Sequence, residues 1–299
     1  AYLQRLIKAG HRVAIAEQTE SPEAARKARG SKALVNRAIV RFVTAGTLTE
    51  EALLDARADN WCVAIGEAGG ECAVAAADVS TGRFVVIETA ADGLTAELAR
   101  LAAAEVIVAE GSPHCPLATA ERPRADFASA DGEARLKRLY GVATLDGFGR
   151  FGRAGLAAAG GLVAYLEGAG KGTLPFLRPP ALVQASDAVA IDAATRESLE
   201  LTCAQGGGRK GSLLDTIDRT VTGAGARMLA ADIGAPLAER VMAEARLDLV
   251  ARFEGDGALR EGVRAALRQL PDIGRALGRL VAGRGSPRDL GLLRDGLRE

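Results

Sequence analysis

Trp61-Cys62-Val63-Ala64-Ile65, Cys72 to Val79 and Phe84-Val85-Val86-Ile87 read as three successive strands. Gly66 to Gly70 supplies the first turn and Ser80-Thr81-Gly82 the second. The third run is apolar on both faces, which predicts a central place in a sheet. A helix with Leu94, Leu98 and Leu101 on one side comes next, then a short strand at Val106-Ile107-Val108. Pairing the first two strands around Glu67 to Gly70 sets Cys62 opposite roughly Ala75 rather than Cys72, so a disulfide between the two cysteines is not expected. A further helix over 154 to 167 should turn Leu156, Ala159, Val163 and Leu166 inward.

Three meandering strands, a helix and another strand describe a mixed sheet of the ribonuclease-H-like type. Upstream, residues 2 to 9 read as a helix with Leu3, Leu6 and Ile7 on one face, stopped by Gly10. Val13 and Ile15 mark a short buried strand, Ser21-Pro22-Glu23 opens a helix, and Ile39 to Val43 is a second strand. Beyond Pro179-Pro180 the pattern is almost purely helical. Ser212 and Thr222 are N-caps there, Met242, Ala245, Leu249 and Phe253 form one apolar stripe, and Leu259, Val263 and Leu267 another. The expected fold class is therefore α/β plus all-α. It has a small α/β remnant at 1–46, a ribonuclease-H-like mixed sheet at 47–178 and a helical segment at 179–299.

Composition sets the outer bounds. The chain has 299 residues, 48% hydrophobic and 25% charged, which excludes a disordered tail or a fibre. No apolar run reaches the ~18 residues of a membrane span, and the opening residues do not read as a signal peptide. Cys62, Cys72, Cys115 and Cys203 show no CxxC spacing and fit a cytoplasmic, reducing setting; His11 and His114 are too few for a His-rich metal site. Lys plus Arg equals Asp plus Glu at 38 each, but the charge is unevenly placed. Residues 1 to 46 hold nine basic and three acidic side chains, 47 to 178 hold twelve and eighteen, and 179 to 299 hold seventeen of each. A basic segment is the electrostatic footprint of a DNA contact or, alternatively, a solvated helix face. Both ends of the chain fall inside helical patterns, Leu3-Leu6-Ile7 at one and Leu290-Leu293-Leu297 at the other, so a piece of a longer protein is expected.

Candidate chemistry is weak. Gly168 to Thr173, GAGKGT, has the composition of a phosphate loop, but an amphipathic helix precedes it where a strand is required, and Leu174-Pro175 follows where a helix should start. It reads as a glycine-rich helix C-terminus with Lys171 near the last carbonyls. In Gly206 to Ser212 Lys210 precedes Gly211, so the order is reversed and a flexible loop is expected. A two-metal nuclease needs a carboxylate in the middle of the first strand, and there is none; Asp78 ends the second strand beside a turn that it stabilises. His114-Cys115 lies between Pro113 and Pro116, where neighbours point apart and no Cys–His pair forms, and His11 follows Gly10 in a turn; both histidines read as exposed bystanders. No catalytic, cofactor-binding or metal-binding residue is assigned, and DNA-contacting residues are not identified.

Longer strings are more specific. Ala190 to Leu201, AIDAATRESLEL, is similar to the segment that opens the core of the MutS family of bacterial mismatch-repair proteins. Gly211 to Leu214, Ile217 to Thr222 and Gly225 to Leu229 resemble the next family signature in order and spacing. Ala235-Pro236-Leu237, Arg246-Leu247-Asp248, Pro271-Asp272-Ile273 and Pro287 to Leu290 continue it. Upstream, Ala16-Glu17-Gln18 with Val40 to Thr47 resembles the end of the mismatch-recognition domain, and Asp78 to Gly82 resembles the connector. The departures are local: Ala45 stands where the family usually has Pro, Asp232-Ile233 where an apolar pair is common, and Gly274 where Glu or Ala is usual.

The resemblance implies the end of a mismatch-recognition domain at 1–46, a whole connector at 47–178 and the first part of a lever-like core at 179–299. It implies a protein that binds mismatched double-stranded DNA, signals to MutL through the connector, is a homodimer at full length and uses ATP with magnesium in a domain that this chain lacks, so the chain itself is expected not to be an enzyme and to hold no cofactor. The Phe-x-Glu wedge of the family would also lie elsewhere. Within 133 to 138 the residues Arg135, Lys137 and Arg138 are candidate partner contacts, with a solvated helix face as the other reading. A ribonuclease-H-like nuclease or resolvase stays as the alternative function.

Overall fold

The computed structural model describes residues 2–114 and 118–298. A short helix α1 (Tyr2–Lys8) leads into strand β1 (Val13–Gln18), helix α2 (Pro22–Arg29) and strand β2 (Arg37–Val43), and the two strands form an antiparallel ribbon. Ser21 caps α2 as its position before Pro22 predicts, its Oγ accepting from Ala24 N at 3.1 Å. The ribbon differs from the expected buried strand: most of β1 and of β2 is exposed, because among the described residues no element covers its outer face. Ile7, Val43 and Leu48 make a small core beneath it.

The main sheet has six strands in the order β7-β6-β3-β4-β5-β8: β3 (Cys62–Ala68), β4 (Glu71–Asp78), β5 (Arg83–Thr89), β6 (Glu105–Ala109), β7 (Ala120–Arg122) and β8 (Ala181–Gln184). The first three form the antiparallel meander, and β6, reached through helix α3 (Leu94–Leu101), runs parallel to β3. β3 and β4 therefore hold the centre, and β5 lies next to the edge strand β8 instead of centrally. The β3–β4 turn is tighter than expected: the strand continues through Gly66, and Gly69 and Gly70 supply the left-handed backbone (φ 64° and 85°) of a two-residue hairpin. Cys62 consequently faces Ala77, and Glu67 faces Cys72. The shift from the expected partner is two residues, so every side chain keeps its face of the sheet.

Both faces of the sheet are covered. Helix α3 lies on one, burying Leu94, Leu98 and Leu101 with Trp61, Val63 and Ile87. Helix α5 (Arg153–Ala169) lies on the other with α4 (Ser129–Tyr140) outside it, burying Ala159, Leu162, Val163 and Leu166; Leu156 is half-buried. Each large apolar side chain so placed stabilises the fold by about 1.5–3 kcal/mol before entropy is counted. The close seat of α5 is allowed by Gly66: a Cβ there would lie 2.3 Å from Ala158 N.

Beyond β8 the chain is helical: α6 (Ala193–Ser198), α7 (Leu213–Ile217), α8 (Gly223–Gly234), α9 (Arg240–Gly255), α10 (Gly257–Gln269), α11 (Ile273–Val281) and α12 (Pro287–Gly296). Ser212 and Thr222 cap α7 and α8, accepting from Asp215 N and Gly225 N. The apolar stripe expected on α9 is present but uncovered, since Met242, Ala245 and Leu249 are exposed and Phe253 half-buried. On α10 Leu259 and Leu267 are half-buried and Val263 exposed, and on α12 Leu290 and Leu297 are exposed. Periodicity fixed the helices, but a stripe is buried only where a partner element lies against it. Among the described residues no helix is long and apolar enough to cross a membrane.

Candidate functional site: the seam between sheet and helices

Within the connection from the N-terminal ribbon to the sheet, between Val43 and Cys62, the helical segment grips Asp55-Ala56-Arg57-Ala58-Asp59 from below. Arg275, on the buried face of α11 and 3% exposed, donates from Nη1 to Asp55 O and from Nη2 to Ala58 O, both at 2.8 Å. Its Nε donates to Ser80 Oγ at 3.2 Å, so one guanidinium joins the linker to the β4–β5 turn. Burial, then the charge of Arg227, draws its pKa below the ordinary arginine value. Arg227 on α8 donates to Ala56 O at 2.7 Å and pairs with Asp272 at 2.8 Å. In the opposite direction, Arg57 of the linker reaches Asp218 at 2.5 Å and Thr220 Oγ1 at 2.8 Å. Burial would raise the Asp218 carboxyl, but hydrogen bonds from Thr220, Arg57 and Arg209 hold it well below its ordinary value.

The sheet side of the seam is built from the string Asp78 to Gly82. Asp78 is fully buried; its Oδ1 accepts from Ser80 N and Oγ at 2.8 and 2.6 Å and its Oδ2 from Asn60 N at 3.2 Å. These bonds fix the turn so that Ser80 meets Arg275, the turn role its position predicts. Asp59 takes Arg83 at 2.9 Å, and Arg83 also lies 4.9 Å from the centre of the Trp61 ring. Burial pushes the Asp59 carboxyl up, Arg83 opposing and Asp78 adding to it. A cleft of about 590 Å³ opens beside these residues, bounded by Thr81, Arg83 and Arg178 on the sheet side and by Arg227, Met228 and Ile273 on the helical side. Below it Asp272 caps α11 through Arg275 N at 3.1 Å.

A second junction holds the N-terminal ribbon. Glu105 on β6 is buried and accepts from Thr44 Oγ1 at 2.5 Å, Gly46 N at 3.1 Å and Tyr165 OH at 2.5 Å. Burial, then the Glu105 charge, pushes the Tyr165 phenol up, so it remains a donor. Arg284 adds a bond to Thr49 Oγ1 at 3.0 Å from the helical side.

The residues singled out by sequence are scattered. Arg135 turns inward and donates to Asp126 O and Gly160 O, holding α4 against α5. Lys137 pairs with Glu133 one turn away at 2.6 Å, and Arg138 is exposed beside it. Lys171 is exposed in left-handed backbone (φ 53°) after the end of α5, and the next regular element is β8, so Gly168 to Thr173 lacks the strand-to-helix geometry of a phosphate loop. Gly206 to Ser212 is a loop leading to the Ser212 cap. His11 is exposed. His114 is not the exposed bystander expected: it is half-buried, with Nε2 3.8 Å from Cys72 Sγ and 3.9 Å from Glu67, because its loop folds back over the end of β4. Cys115 lies outside the described residues. Arg227 and Arg275 lie within and beside the family strings without a local sign of their role; an arginine on the inward face of a capped amphipathic helix is the signal that points to them.

Three family models match this chain in succession: MutS domain I over residues 1–52, MutS domain II over 60–178 and MutS domain III over 194–299. The DNA mismatch repair protein MutS of Erythrobacter litoralis is 57% identical over 305 residues, covering 100% of this chain and 35% of that protein. That of Zymomonas mobilis is likewise 57% identical over 305 residues with the same coverage, and that of Nitrobacter winogradskyi 47% identical over 310, covering 99% and 35%. The chain thus spans about a third of the length of the curated relatives it matches. With three consecutive MutS domains matched and this identity along its whole length, the chain belongs to the MutS family of DNA mismatch repair proteins.

Proposed function

We propose that this chain is the coupling part of a longer mismatch-repair protein: it transmits movement between a mismatch-gripping domain and a helical lever, and offers its sheet domain to MutL. The observation that carries the reading is the Arg275 bridge, in which one side chain of the lever holds both the inter-domain linker and the β4–β5 turn. A displacement of α11 must then move the linker, and with it the ribbon, or break three hydrogen bonds, one of them to the buried Ser80 hydroxyl.

In this reading 1–46 ends a mismatch-recognition domain, 47–178 is the connector and 179–299 begins the core; β8, at Ala181–Gln184, is the strand with which the core closes the connector's sheet. Mismatched double-stranded DNA is the ligand of the longer, homodimeric, cytoplasmic protein. ATP and magnesium belong to a nucleotide-binding domain in another part of it, as does the aromatic wedge, and this chain has no enzymatic activity of its own. The nuclease alternative is disfavoured, because both Asp78 oxygens are already engaged, Oδ1 by Ser80 within the turn and Oδ2 by the Asn60 amide.

For MutL docking the exposed Arg138, with Lys137 beside it, is the favoured contact, since Arg135 is engaged inside. Calorimetry of the 299-residue chain against its cognate MutL at low salt should give saturable heat, weakened by Arg138→Glu. A folded chain with no heat at tens of micromolar removes the docking role. Titration with a fluorescent ATP analogue in magnesium buffer should show no saturable binding; micromolar affinity lost in Lys171→Ala would overturn that assignment.

A further inference from the structure

Arg196 stands in α6, the first α-helix after β8, which packs against α3 of the sheet domain. Its side chain is 8% exposed, and among the described residues neither Nε nor Nη1 has a hydrogen-bond acceptor. A guanidinium does not shed its proton within a protein, so the buried group carries a full charge. The nearby acid is already engaged: Glu97 on α3 binds Arg100 through Nε at 2.8 Å and Nη2 at 2.7 Å. Burial, then the Arg100 charge, lowers the Arg196 pKa, with Glu97 opposing. The α3–α6 contact thus brings together two guanidiniums and one carboxylate. On the far side Gly234 ends α8, and a Cβ there would lie 3.7 Å from Nη1, an ordinary contact distance, so α8 borders the guanidinium.

We propose that Arg196, at the α3–α6 contact, forms a socket for a small anion of carboxylate size or less. Buried charge left without an acceptor is costly, and a planar fork of N–H donors suits a halide or a pair of carboxylate oxygens. The bound anion would neutralise the excess charge where the lever's first helix meets the sheet, and so tighten that contact. This inference is independent of the DNA and MutL roles.

The test uses the 299-residue chain with chloride as the probe, at constant ionic strength against bulky gluconate. Chloride-35 NMR should show line broadening in excess of that given by Arg196→Met, and the melting temperature should rise by about 2 °C per tenfold chloride once the site is saturating. Arg196→Met should lose both effects; should it fail to fold, Arg196→Lys keeps the charge and should retain weaker broadening. Acetate distinguishes the source: if it removes the chloride broadening, the socket accepts carboxylates, including one from another polypeptide segment, and if it does not, the ligand is an inorganic ion. Equal broadening in wild type and Arg196→Met, or a melting temperature indifferent to chloride, would overturn the socket and leave Arg196 solvated by water.

Discussion

Gly278 on α11 lies against the carbonyl of Ser80 at the β4–β5 turn, so closely that a Cβ at 278 would come within 2.6 Å of that oxygen. Here backbone meets backbone across the seam, and neither side has a flexible end that could yield. Gly278→Ala should therefore lower stability by about 1–3 kcal/mol, an overpacking cost that exceeds the helix propensity gained. Gly262→Ala, in α10 where a Cβ meets nothing within 4 Å, is the control and should be neutral or slightly stabilising. Thermal unfolding of both checks this; equal melting temperatures would mean that the seam is loose in solution.

Replacing Arg275 by Met should cost about 2–4 kcal/mol, since two linker carbonyls and the Ser80 hydroxyl lose their donor. Arg275→Lys should recover only part of this, because one ammonium cannot span the same three acceptors. Limited trypsin digestion gives a local readout: cleavage after Arg57 should be slow in the wild type and accelerate in Arg275→Met. Unchanged cleavage there would show that the linker is held without the bridge.

Asp289 supplies a pH dependence. The Arg279 hydrogen bonds hold its carboxyl down to about 2, against an ordinary value of 3.8, with burial opposing and Ser286 adding to the shift. A carboxyl lowered in the folded state contributes stability that is fully present above the unfolded value and is lost as pH falls through the folded one. The contribution is at most about 2 kcal/mol. Urea midpoints should fall between pH 4 and pH 2 in the wild type, and Asp289→Asn should start lower and flatten that stretch.

The N-terminal ribbon should be the first part to open. Both strands are largely exposed, and the ribbon is moored through the Thr44–Glu105 junction and a hydrogen bond from Arg12 to Thr119 O. Early tryptic cuts should fall between Arg26 and Arg41, before any in the six-stranded sheet. Glu105→Ala should hasten them, as Thr44, Gly46 and Tyr165 lose their shared acceptor. Strong protection of that stretch in a monomer would contradict the assignment.

The meander, the helix with Leu94, Leu98 and Leu101, and the caps at Ser21, Ser212 and Thr222 were legible in the sequence. They rest on local rules: period-two or period-3.6 burial, glycine turns, and a side-chain oxygen reaching an amide three residues on. The family strings were legible too, since they depend on order and spacing alone. Where the Cys62 register lay was missed by two residues, because the hairpin turn was placed too early along a glycine-containing strand.

Tertiary structure decided what no local rule encodes. Whether the α9 stripe is covered depends on which elements pack against it, and among the described residues its Met242, Ala245 and Leu249 stay exposed. Arg275 and Arg227 look in sequence like ordinary charged positions on helices; they become clamps because α8 and α11 bring their buried faces to a linker some 170 to 220 residues earlier in the chain. Arg135 looked like surface charge and became an internal tie once α4 lay on α5. Periodicity says which face of an element is apolar, whereas long-range packing determines which polar groups on that face lose water and must find partners.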